Sequence, residues 1–126
     1  MLRIIFTLGL ITATCLLGYT MSYYKAMDFY AVLLAMITGC FLGFGFADGR
    51  RDKLILEAGM AAGIVILILL AMWKMLWLIA VGYVAHAVWG LLHYSLSFGA
   101  RVPKNYALLF LLFDGGIALF LFLRYV

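Results

Sequence analysis

This chain has very little charge. Only 11% of its 126 residues are charged while 69% are hydrophobic, whereas a soluble domain has roughly a quarter of its residues charged. Too little polar surface exists to cover a water-facing core, which excludes an ordinary soluble protein. Alternation of apolar and polar residues is also missing. Runs such as IVILILLAM at residues 64–72 are continuously apolar, unlike the strands of a membrane β-barrel. The chain carries a net charge of +4, yet its basic residues never gather into a solvent-facing patch, so nucleic acid is not an expected partner. Cysteine is scarce too. Cys15 and Cys40 form no CxxC and fall in different apolar runs at different depths, so both read as small apolar packing residues rather than a disulfide. No nucleophile stands beside a base, and Ser95 and Ser97 sit at a membrane edge. No catalytic residue, metal or cofactor is therefore expected.

What the chain does have is length of apolar sequence. Polar breaks at SYYKAMD, DGRRDK, Lys74 and SFGARVPKN leave five segments, approximately 2–21, 29–47, 54–73, 75–97 and 106–123. Each is about long enough to cross a ~30 Å hydrocarbon layer as a helix. The expected fold is all-α, a single polytopic membrane bundle of about five transmembrane helices, with the lipid bilayer as its first partner. The break at Lys74 is minimal, but without it residues 54–97 would form a helix about twice as long as the membrane is thick. A tight hairpin is required there, flanked by Trp73 and Trp77 as interfacial anchors. The first segment lacks a small-x-small cleavage site before polar sequence, so it is expected to be retained. ITGC at 37–40 resembles a lipoprotein processing box, but apolar sequence continues beyond it.

Orientation follows from the basic residues. Arg3, Arg50, Arg51, Lys53, Arg101 and Lys104 fall on one side, against Lys25, Lys74 and Arg124 on the other. That bias puts the N-terminus in the cytoplasm and the C-terminus outside, across an inner membrane. Tyr19, Tyr23, Tyr24 and Tyr30 are expected to crowd the first external turn at headgroup level.

Two glycine pairs suggest how helices meet. Gly39 and Gly43 form a GxxxG in the second segment, and Gly59 and Gly63 form another in the third. Counted from the shared loop, the pairs lie at matching depths, so two small-residue grooves are expected to face each other.

The same depth count applies to the four ionisable side chains inside the segments. Glu57 and His93 each lie about one turn from the charged loops. His86 and Asp114 lie about three turns deep, at roughly 15 Å. His86 and His93 are seven residues apart, close to two helical turns, so they share one stripe with Trp89. Two polar tiers are expected, His93 with Glu57 and His86 with Asp114. An ionised carboxylate near the bilayer centre costs about 2.5 to 3.5 kcal/mol and needs a partner. The histidines themselves lie about 10 Å apart, too far to share a metal ion or to ligate one haem.

Two functions fit these tiers. One is a polar pocket formed by Glu57, His86, Trp89, His93 and Asp114 that binds or passes a small ligand or a proton. The other is a structural or accessory subunit of a homo-oligomer or larger membrane complex, with the same residues as interhelical glue worth about 0.6 kcal/mol per hydrogen bond.

The runs ADGRRDKLILEAG, HAVWGLLHY and VPKNYALLFLLFD resemble an uncharacterised group of small bacterial multi-pass membrane proteins. That group's signature reads approximately H-x-x-W-D-x-x-H-H, then V-P-x-W-Y-P, then Asp eight residues after the Tyr. The matched positions are Asp48, Gly49, Arg50, Glu57, His86, Trp89, His93, Val102, Pro103, Tyr106 and Asp114, across the last two-thirds of the chain. Gly90, Tyr94, Asn105 and Ala107 depart from it, and the first two remove an Asp and a His. The resemblance implies the multi-pass topology and the polar cluster, and names no substrate.

Overall fold

The computed structural model describes residues 1–126 as five helices and no strands: α1 (Leu2–Thr20), α2 (Tyr23–Asp48), α3 (Arg51–Trp73), α4 (Leu78–Leu96) and α5 (Lys104–Tyr125). All five are long and apolar enough to cross a membrane, as a multi-pass membrane protein requires. Backbone groups in lipid have only one another for hydrogen bonding, and 89 of the 101 backbone–backbone bonds lie within helices.

The boundaries differ from the hydropathy segments at the polar ends. Segment 29–47 is the middle of a helix that begins at Tyr23, and only Met21 and Ser22 separate it from α1. Hydropathy finds where lipid stops, whereas a helix continues through Lys25 and Asp28 because both stay exposed at the rim. For the same reason α3 and α5 begin at Arg51 and Lys104. At the α3–α4 hairpin the reverse holds. Lys74–Trp77 form a tight turn closed by i→i+3 bonds from Leu78, Ile79 and Ala80, so α4 starts at Leu78 rather than at 75. Trp73 and Trp77 lie exposed beside this turn.

In the bundle, α4 packs most extensively on α5 and α2 on α3, while α4 also touches α2 and α3. The outermost helix, α1, leans on α5 and scarcely meets α2. Tyr30, Leu34, Ile64, Ile79, Tyr83 and Ile117 fill the centre. Tyr30 is therefore not a headgroup residue. Its ring is fully buried, its hydroxyl donates to the Thr14 carbonyl at 2.8 Å, and its own carbonyl accepts from the Tyr83 hydroxyl at 2.8 Å. The place for that ring is made by Gly18, where any Cβ would overlap it. Both cysteines are free, Cys15 packed against the core and Cys40 on the exposed face of α2.

The glycine grooves do not face each other. Gly39, Gly43, Gly59 and Gly63 are all exposed, and a Cβ added to any of them would meet nothing within 4 Å. The α2–α3 contact instead runs through Gly45, whose added Cβ would lie 3.2 Å from the Glu57 side chain. Residues two apart on a helix point roughly 200° apart. Turning Gly45 and Glu57 inward necessarily turns Gly43 and Gly59 outward, and a carboxylate loses more in lipid than a glycine does.

Candidate functional site

Four ionisable side chains lie in the interior: Glu57, His86, His93 and Asp114, each 2% exposed or less. They form two pairs. His86 and His93 project from one stripe of α4, Glu57 meets the lower histidine from α3, and Asp114 meets the upper one from α5. α4 and α5 approach closely at Gly90, where an added Cβ would make ordinary contact with the α5 backbone at Ala107 and Leu111.

The lower pair is saturated. His93 Nε2 lies 2.6 Å from Glu57 Oε1, and His93 Nδ1 lies 2.9 Å from the Trp89 carbonyl. A carbonyl only accepts, so Nδ1 carries a proton and donates it. One further proton lies between Nε2 and Oε1, and the pair is neutral overall whichever atom holds it. Trp89 Nε1–H donates to Glu57 Oε2 at 2.9 Å, and the Ala100 backbone N–H donates to Oε1 at 3.0 Å. No polar atom of this pair lacks a partner.

That last bond reaches into the α4–α5 loop. Ser97 and Gly99 take positive φ of 49° and 86°, which bends the chain back over the tier. A Cβ on Gly99 would stand 2.6 Å from Glu57 Oε1 and 2.9 Å from His93 Nε2, so conformation and space both require glycine. The next amide is held as well. Arg101 N–H donates to Asp48 Oδ2 at 2.6 Å, while Arg50 grips the same carboxylate through Nε and a terminal nitrogen at 2.7 and 2.8 Å. Two carboxylates, one ending α2 and one on α3, thus hold consecutive amides of this loop.

The upper pair is different. His86 Nδ1 lies 2.5 Å from Asp114 Oδ2, a contact that holds one proton. His86 Nε2 and Asp114 Oδ1 are buried and have no partner among the protein's own groups. Buried polar atoms are nearly always satisfied, so two such atoms on one pair mark it out. Five cavities of the bundle, of about 190 to 560 Å³, are lined by neither residue. Aromatic rings wall the pair instead: Phe41 lies 5.1 Å from the His86 ring and Phe110 6.5 Å. Phe41 also lies 4.9 Å from the His93 ring, and so stands as an apolar partition between the tiers.

The depth count brings together the same partners that the structure does. It could not place Trp89, which belongs to the lower tier as a donor to Glu57. Phe41, Gly99 and Ala100 were missed altogether. Phe41 had no signal, being one aromatic in an apolar run, while Gly99 offered only its place in a polar loop. No three His, Cys, Asp or Glu side chains converge as a metal site would need. No protein family, curated protein or solved structure matches the chain. What the tiers do is therefore argued from their own geometry.

Proposed function

We propose that this chain is a multi-pass protein of the bacterial inner membrane, N-terminus in the cytoplasm and C-terminus outside, in which His86 and Asp114 take up and release one proton within the bilayer. The observation that carries this is the pair of unpartnered atoms, His86 Nε2 and Asp114 Oδ1, both buried. With one proton in the Nδ1–Oδ2 contact and none elsewhere, the pair is an anion. With a second proton on Nε2 or Oδ1 it is neutral. The two forms differ by a full charge, which in lipid is worth about 2.5 to 3.5 kcal/mol, so proton occupancy is tied to how tightly the surrounding helices close. The enclosing rings favour a proton over a larger ligand and a binding site over an open conduit. Orientation is supported by the six basic residues that share one end. The resemblance to small bacterial membrane proteins agrees with it, since both pairs fall on matched positions.

For Glu57, His93 and Trp89 a structural role is the better reading, because that tier has no unmet donor or acceptor. It fits the alternative of an accessory or complex-forming protein, with polar residues as glue. Infrared spectroscopy in lipid nanodiscs separates the readings. Acidification should change a protonated-carboxyl or an imidazole band in the wild type and in Asp28→Asn at the rim, and that change should vanish in Asp114→Asn. A folded wild type with no Asp114-dependent change in either the carboxyl or the imidazole bands at any pH would make the upper pair glue as well.

A further inference from the structure

α1 and α2 are joined at one end by Met21 and Ser22 and touch little beyond it. Toward the other end they part, leaving a groove of about 220 Å³ between α1, α2 and α5, walled by Phe6, Leu10, Leu33, Ile37 and Phe113. Apart from Tyr106 at its mouth, the one polar side chain on its wall is Thr7, whose hydroxyl donates to the Arg3 carbonyl at 2.9 Å. Below its mouth the shaft therefore has no free side-chain donor and suits a hydrocarbon chain.

Its mouth is of the opposite character. Tyr106 and Leu109 line both the shaft and an adjoining hollow of about 190 Å³, whose other walls are Arg3 and Asn105. Arg3 lies in the first turn of α1 and enters none of the ion pairs of the chain. Asn105 lies in the first turn of α5, which carries no acid and has no side-chain cap, so the positive end of that helix has no side-chain counter-charge. A guanidinium, a carboxamide and a bare helix start surround the opening, with no carboxylate among its walls. The charge that complements them is negative, and the level is that of the headgroups.

We propose that this groove holds one acyl chain of an anionic phospholipid, its phosphate against Arg3 and Asn105 and its chain between α1, α2 and α5. A zwitterionic lipid would fill the shaft and bring a phosphate, but its added cation opposes the positive mouth, and a soluble phosphate would satisfy only the mouth. The site does not depend on the proton reading of His86 and Asp114.

Native mass spectrometry of protein released from nanodiscs of equal phosphatidylglycerol and phosphatidylcholine tests this. The wild type should keep one phosphatidylglycerol in preference to phosphatidylcholine. Arg3→Gln should lower that preference about fivefold, the ratio matching ~1 kcal/mol for a basic residue at a membrane surface. Leu10→Trp, which fills the shaft, should lower retention of both lipids. Arg124→Gln, at the opposite end, should leave the preference as it is. Equal retention of the two lipids by the wild type, an unaltered preference in Arg3→Gln, or undiminished retention in Leu10→Trp would each overturn the proposal.

Discussion

The two tiers make the same contact and differ in what surrounds it. Each sets one histidine of α4 against one carboxylate of a neighbouring helix at 2.5 to 2.6 Å. The lower tier adds Trp89, Ala100 and a carbonyl until every atom is matched, whereas the upper tier leaves an imidazole nitrogen and a carboxylate oxygen bare. A His–carboxylate contact in lipid is thus not in itself a sign of function. What distinguishes the pairs is the number of atoms left over once the contact is made.

The largest effect expected from this contrast is on the saturated side. Glu57→Ala strands the His93 ring, the Trp89 indole and the Ala100 amide together, and breaking a buried pair in this way costs about 3 kcal/mol. Unfolding in mixed detergent micelles measures it. A loss below ~1 kcal/mol, the scale of an isolated interhelical bond in membranes, would mean that the lower tier does not hold the bundle. Gly99→Ala should follow at about 2 kcal/mol, since the residue sits at φ 86° with no room beside the carboxylate. Its signature is faster hydrogen exchange at Ala100 and Arg101, with exchange in α1 left as it was.

Asp114→Asn sharpens the contrast from the other side. The amide keeps the shape of the carboxylate and one acceptor for His86, so stability should fall by only ~1 kcal/mol while the proton-dependent change in the carboxyl or imidazole band disappears. If stability falls as far as in Glu57→Ala, the upper tier is as structural as the lower. Smallest of all should be Gly39→Ala and Gly59→Ala. Nothing lies near either position, and unfolding free energies should stay within about 0.5 kcal/mol of the wild type. They set the baseline against which the tiers are judged.

Much of this was legible in the sequence because depth in a membrane is a one-dimensional quantity. Counting residues from a charged loop gives height, and height alone pairs Glu57 with His93 and Asp114 with His86. Rotation about the helix axis is a second coordinate that counting does not give. It misplaced Gly39, Gly43, Gly59 and Gly63, correct in level but turned to the outside. Tyr30 failed for a related reason: nearness to a turn places a residue at a rim only if its face is outward, and Gly18 opens an interior place for that ring. Phe41 and the loop amides were hidden because their importance comes from what surrounds them. An apolar ring is unremarked among other apolar rings until two histidines are found on either side of it.

The hold of Glu57 on the α4–α5 loop also constrains the birth of the molecule. A ribosome delivers the chain from its N-terminus, so α3 reaches the translocation machinery before Trp89, His93 or Ala100 exists. Its acid must spend that interval near the water boundary, which its position less than two turns from Arg51 allows. Asp114 has no such refuge at mid-depth, but it arrives on the last helix, after His86 is already in place. Assembly thus proceeds without any deep acid being left alone in the oil, and the order of the five helices along the chain is what makes that so.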